Sequence, residues 1–398
     1  MTAFLAPPQR DLILTPAVRR IMDALRHSGG EARIVGGAVR DIVMNRAAGD
    51  IDMAATLPPQ QVMDILAAHG IKSVPTGLAH GTVTAVIDHK GYEITTLRRD
   101  VATDGRHADV AFTTDWRADA ARRDFTFNAL YADGDGAVYD YFNGIDDARA
   151  GRVRFIGDAS ARIREDVLRI LRFFRFYAWF GRGDADPDAL AACRALAALM
   201  PRLSAERVAR ETLKLLAAPD PAPAWQLMME CGVTRAFTPE AADVARLRHL
   251  LAKNAPPDAL LRLAALLPPD DKTATAVAAR LKLSTRDGDA LRAYATLPAQ
   301  LRGHLDPIPL RRILYRHNPD HCRAALALLD DPLDAACQTI GAWENPAFPV
   351  KGEDLLKLGV QPGPRMGDIL RETEQWWIMS DFRPDRAACL AYAQTCAR

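Results

Sequence analysis

The chain has 398 residues, 49% of them hydrophobic, with 51 Lys and Arg against 50 Asp and Glu and a formal net charge of +1. That length supports two or more domains with sizeable cores, and the near-neutral balance excludes a uniformly basic surface. The start, Met1-Thr-Ala-Phe-Leu-Ala-Pro-Pro, lacks a basic region followed by a long apolar run, and no segment could cross a bilayer without charges; no membrane association is expected, and a cytoplasmic location is.

In chain order, helical spacing marks Ala17–His27, and Ala32 to Val35 reads as a short buried strand. Gly36-Gly37 follows where the backbone must turn sharply and approach a ligand closely. Ala38 to Asn45 then has helical spacing, so N–H groups at a helix start would point at a bound triphosphate, with Arg40 one turn in. Asp50-Ile51-Asp52-Met53-Ala54-Ala55 alternates at strand period, which puts Asp50 and Asp52 on one face with Ile51 turned to the core. Two carboxylates so placed can share Mg2+, which would bridge triphosphate oxygens and neutralise a departing pyrophosphate. A glycine bend joined by one helix to paired aspartates therefore points to nucleotidyl transfer.

Pro59–His69 reads as a helix, and Val83–Ile87, Tyr92–Leu97 and Ala129–Tyr131 as strands. Glu93, with Tyr92 and Ile94 facing the other way, could add a third carboxylate beside Asp50 and Asp52. Asp100 to Asp115 is polar and aperiodic, as expected of a loop over a site. From about Asp158 the pattern turns helical, with Ala161–Phe180, Pro187–Leu199, Ser204–Leu216, Ala222–Cys231, Pro257–Leu266 and Leu310–Arg316 broken by Pro and Gly clusters. Arginines crowd the stretch from Arg149 to Lys214, where acids are fewer, so that region could present a positive groove to phosphates. Glu165 to Arg175 reads as one helix with Asp166, Arg169, Arg172 and Arg175 on an i, i+3 ridge. The six cysteines are scattered with no Cys-x-x-Cys pair, which argues against a zinc site.

These residues carry a resemblance. Gly36-Gly37-Ala-Val-Arg40-Asp41 with Gly49-Asp50-Ile-Asp52, then His80-Gly-Thr82, Tyr92 to Arg98, Arg122-Arg-Asp-Phe-Thr-Phe-Asn-Ala129, Tyr139 to Gly144 and Arg164 to Arg175, together resemble the class II tRNA nucleotidyltransferases (CCA-adding enzymes) and bacterial poly(A) polymerases. The resemblance covers roughly the first half of the chain. It implies an α+β architecture: a nucleotidyltransferase head of mixed sheet and helices over 1–145, a helical neck over 146–216 with the nucleotide-selecting helix, and a helical body and tail over 217–398 that binds tRNA. By the same resemblance Asp166 and Arg169 read the base, Arg172 and Arg175 reach phosphate, Arg123 contacts nucleotide, and Asp124 and Asn128 organise the ribose side. Val350 to Leu370 resembles the tail of bacterial CCA-adding enzymes.

Three functions compete at this level. CCA addition to tRNA from CTP and ATP is favoured over poly(A) addition, because the chain lacks an arginine-rich Gly-Arg-Arg-Phe-Arg segment and a strongly basic tail. Partial addition of only CC or only A stays open. A catalytically silent RNA-binding module predicts broken carboxylates, whereas Asp50 and Asp52 are intact.

Overall fold

In the computed structural model, the described residues are 2–103, 108–253, 255, 257–330 and 333–397. They form two compact units, 1–239 and 240–398. The first holds every described strand.

Eight strands make one mixed sheet. In chain order they are β1 (Thr2–Phe4), β2 (Ala32–Val35), β3 (Asp52–Ala55), β4 (Lys72–Gly77), β5 (Thr82–Ile87) and β6 (Lys90–Thr96), while β7 (Arg98–Thr103) and β8 (Ala108–Phe112) pair separately, and β9 (Leu130–Ala132) and β10 (Ala137–Asp140) rejoin the sheet. Across the large sheet the order is β1-β10-β9-β2-β3-β6-β5-β4. Only β3 and β6 run parallel, with Met53 opposite Ile94, and the other pairings are antiparallel. β2 is buried at all four positions, Arg33 included, whose guanidinium lies 4.1 Å from the Trp116 ring and 3.6 Å from the Tyr139 ring. Helices Pro16–His27 and Pro59–Ala68 start at prolines that already hold a helical φ, and each packs an apolar stripe on the sheet.

A phenylalanine cluster joins this sheet to the helices that follow it. Phe125 lies 4.8 Å from Phe155 and 5.3 Å from Phe176, and Phe127 lies 5.5 Å from Phe176, ring centre to ring centre. Phe125, Phe127 and Phe173 are wholly or almost wholly buried. Rings contribute large apolar areas and prefer such edge and offset contacts, so the helix Arg169–Phe180 is fixed against the sheet.

The structure changes four expectations. Ala161–Phe180 is two helices, Ala159–Glu165 and Arg169–Phe180. Asp166 is extended at φ −147°, ψ 106°, and its Oδ1 accepts the Leu168 N–H at 3.0 Å. An aspartate that bonds nearby backbone competes with the helical ladder, and here it ends one helix before the next begins. Second, β3 starts at Asp52, with Asp50 in the bend just before it. Third, the stretch Asp100 to Asp115 is largely the β7–β8 hairpin rather than a loop, residues 104–107 lying outside the described ones. Fourth, β1, β4 and β10 fall where no strand was expected, because β1 and β10 have only three and four residues and the edge strand β4 is largely exposed on both faces, so none shows a clear alternation.

The second unit is helical throughout its described residues, from Ala245–Ala252 to Arg386–Ala397. Its late core gathers Tyr315, Phe348, Trp377 and Phe382 with Cys389. Arg311 grips Asp381 through two bonds of 2.9 and 2.6 Å. No described helix is long and apolar enough to cross a membrane.

Candidate active site

Strand register brings the carboxylates to the glycine bend. Val35, the last residue of β2, lies opposite Asp52, the first of β3, and Gly36 follows at once. Gly36 takes φ +72°, ψ −120°, a conformation closed to side chains with a Cβ, while its N–H reaches the Leu130 carbonyl at 3.0 Å. A Cβ at Gly37 would meet only the tip of Arg40, at 3.7 Å, so the backbone there faces open space. Asp52 and Glu93 each sit one residue before the register pair Met53–Ile94, which places them on one face of neighbouring parallel strands.

Electrostatics confirm that crowding. The Asp52 carboxyl is pushed up to about 6 by its removal from bulk water, then by Glu93 and Asp50, with Arg123 opposing. A divalent cation would relieve that repulsion, so the donor set fits one. Among the described residues no three His, Cys, Asp or Glu side chains converge into a complete metal cage. Two carboxylates with the remaining ligands supplied by phosphate oxygens and water is the pattern usual for Mg2+.

Opposite the carboxylates stands a wall of guanidinium groups around a cavity of about 840 Å³. Arg40, although buried, donates to Asn128 Oδ1 at 2.8 Å and to Asp41 at 2.9 and 2.8 Å, and lies 4.1 Å from the Phe180 ring. Asn128 Nδ2 in turn donates to Asp124 at 3.1 Å, and Asp124 accepts from Arg172 at 2.7 Å. This chain of bonds runs from the glycine-bend helix Gly37–Val43 to the helix Arg169–Phe180. Burial would raise the Asp124 carboxyl, but Arg172, Asn128 and the Phe125 N–H outweigh it and hold it below the ordinary range.

Arg123 is aimed by a second network. Asp119, 1% exposed, accepts from Tyr131 Oη at 2.7 Å, Arg122 Nε at 2.8 Å and Arg123 Nη2 at 3.2 Å. Farther round, Arg175 donates to Glu211 at 2.5 Å and stacks 4.0 Å from the Phe176 ring. Arg169 donates to Glu165 at 2.6 Å and to the Arg162 carbonyl at 2.8 Å.

Gly36, Gly37, Arg40, Asp52, Glu93, Arg123, Asp124, Asn128, Asp166, Arg169, Arg172 and Arg175 all line this one cavity, and Asp50 adjoins it through its effect on Asp52. Arg98, Arg122, Arg207 and Lys214 line it too. Arg207 and Lys214 stood in the sequence only as members of a long arginine and lysine series; nothing local distinguishes a residue that faces the cavity from one that faces water.

A mixed sheet with paired carboxylates beside a glycine bend, facing bound arginines, is the head of a nucleotidyltransferase, and residues 32–154 match the family model described as Poly A polymerase head domain. Residues 184–244 match the model described as probable RNA and SrmB-binding site of polymerase A. The mitochondrial CCA tRNA nucleotidyltransferase 1 of Homo sapiens is 33% identical over 98% of this chain and 93% of its own length. The CCA-adding enzyme of Levilactobacillus brevis is 30% identical over 94% of this chain and 96% of its own. The crystal structure of the Bacillus stearothermophilus CCA-adding enzyme in complex with CTP superposes with a TM-score of 0.75 at 25% identity, covering 98% of each chain. The chain belongs to the family of class II CCA-adding tRNA nucleotidyltransferases.

Proposed function

We propose that this protein adds C, C and A to the 3′ end of tRNA without a nucleic-acid template, taking CTP and ATP and releasing pyrophosphate. The observation that carries the reading is one cavity in which Asp52 and Glu93, with Asp50 beside Asp52, share the lining with Arg40, Arg123, Arg172 and Arg175 at an open glycine bend. Relatives named CCA-adding enzymes, and one solved with CTP, support it.

Mg2+ held by Asp50 and Asp52 would lower the charge on the triphosphate and favour an ionised 3′-hydroxyl. Glu93 adds a third negative group at that edge. Gly36 and Gly37 let backbone approach the triphosphate, while Arg123, held by Asp119 and Tyr131, meets its charge with a guanidinium that needs no reorganisation. Arg40, Arg172 and Arg175 extend the same positive wall, and Asp124 and Asn128 keep Arg172 and Arg40 in place on the ribose side. Asp166 accepts an amino proton of cytosine or adenine, and Arg169, stiffened by Glu165, donates to a ring nitrogen or carbonyl. The helical neck and the second unit hold the tRNA. We propose the head, neck and body-plus-tail division at 145 and 216 as the functional one; the compact units themselves divide at 239.

The test is to incubate the purified protein with tRNAs ending at the discriminator base, at C and at CC, each with one labelled nucleoside triphosphate. The reading expects C on the first two substrates, A on the third, and arrest after three additions. Long A tails on any RNA would mean a poly(A) polymerase, and addition of C alone or A alone a partial enzyme.

A further inference from the structure

We infer that Arg207 is a positioning residue that sets nucleotide choice by fixing the Asp166 carboxylate. The inference rests on the proposed role of Asp166 in reading the base.

Asp166 occupies the break between two helices, so the helical ladder does not orient it. Its carboxylate is held at both oxygens instead. Oδ1 accepts the Leu168 N–H at 3.0 Å, and Oδ2 accepts Arg207 Nη2 at 2.8 Å. Arg207 comes from a different element, the helix Ala205–Leu216, and also lines the cavity. One turn on, the same helix supplies Glu211, which holds Arg175 at 2.5 Å. A single helix thus grips both ends of the nucleotide-selecting segment.

Each carboxylate oxygen can accept more than one hydrogen bond, so Asp166 fixed in this way keeps lone pairs aimed into the cavity. Without Arg207, one oxygen is tethered only by the Leu168 N–H, and the group can rotate to accept from bases that present other edges. Side-chain exposures of 40% for Arg207 and 33% for Asp166 make this a weakly stabilising pair. Its worth therefore lies in orientation, and its loss should alter selection without altering stability.

The experiment measures single-turnover incorporation of each of the four nucleotides on tRNAs ending at C and at CC, for Arg207→Ala, Arg207→Gln, Arg207→Lys and Asp166→Ala, with thermal melts of each. The inference expects Arg207→Ala to raise incorporation of U and G relative to the correct nucleotide about tenfold with an unchanged melt, and Arg207→Lys to restore part of the discrimination. If Arg207→Ala does not fold, Arg207→Gln, which keeps part of the stem but whose uncharged amide is too short to reach Asp166 as the guanidinium does, decides in its place. Equal slowing of all four nucleotides would overturn the inference, leaving Arg207 a brace. If Asp166→Ala scrambles choice while the Arg207 variants do not, the inference alone fails; if Asp166→Ala leaves choice intact, the base-reading role fails and takes this inference with it.

Discussion

Like charges held close to one another without a counter-ion are costly, and Asp52 bears that cost from Glu93 and Asp50. Such crowding is tolerated where a cation is to be bound, which is why the proposed reaction is placed there. Asp52→Asn is expected to lower nucleotide addition by roughly a hundredfold or more, while the dissociation constant for tRNA, read by filter binding, changes by less than about threefold, since a carboxylate contributes nothing to holding a polyanion. Near-normal addition by that variant would remove Asp52 from the mechanism. Asp124 works differently, because its carboxylate is spent on Arg172 and Asn128. Asp124→Asn leaves Arg172 without its counter-charge in a partly buried position and should cost about 2 kcal/mol in urea unfolding, together with a raised KM for both nucleotides. A variant that binds nucleotide poorly at wild-type stability would instead mean direct contact with the substrate.

At the scale of elements, two glycines show how backbone decides the site. Gly36 has a positive φ but room around it, a Cβ meeting Arg123 Nη1 and the Asn128 carbonyl at 3.6 Å. Gly36→Ala should therefore cost backbone strain alone, on the order of 1–3 kcal/mol for a residue with a Cβ forced into that sparsely populated region. Gly144 opens the helix Gly144–Ala150, and a Cβ there would lie 2.2 Å from the Thr126 carbonyl oxygen, in a backbone that also carries Phe127 and Asn128. Gly144→Ala should be the more damaging of the two in denaturant unfolding, the reverse of what their places in the motifs suggest; equal or inverted costs would refute this account. The break at Asp166 belongs to the same scale. The ridge of Arg169, Arg172 and Arg175 was legible in their spacing, but Asp166 lies off it in extended backbone, and the local competition that ends the helix there was not legible, because i, i+3 spacing in a sequence is the same whether or not the ladder continues.

Across the first unit, buried carboxylates tie distant segments together. Burial alone would raise Asp119, but Arg123, Arg122 and Tyr131 prevail, and Asp119 and Asp124 both titrate below the ordinary aspartate value. A depressed folded-state pKa contributes stability that is fully present above the unfolded value, about 4, and that is lost as pH falls through the depressed value. Acid should therefore unfold this unit progressively below about pH 4, and Asp119→Asn should flatten that dependence while destabilising the protein at neutral pH. An unchanged acid midpoint in Asp119→Asn, followed by circular dichroism, would show that the network carries no linkage.

What the sequence determined by itself is whatever lies within one short contiguous stretch: the strand and glycine bend from Ala32 to Gly37, the Asp50-x-Asp52 pair, the helical character of the basic stretch up to Phe180 though not its break at Asp166, the change from mixed to helical pattern near Asp158. Periods of 2 and 3.6 and a residue's tolerance of positive φ act between neighbours, so they survive in one dimension. Tertiary structure alone decided which cation meets which acceptor. Arg40 finds Asn128 across 88 residues, Arg172 finds Asp124 across 48, and Arg207 finds Asp166 across 41. Many arginines of the middle region are equivalent by composition, and only packing of the phenylalanine cluster and the register of β2, β3 and β6 turns some of them toward the carboxylates and leaves the others in water.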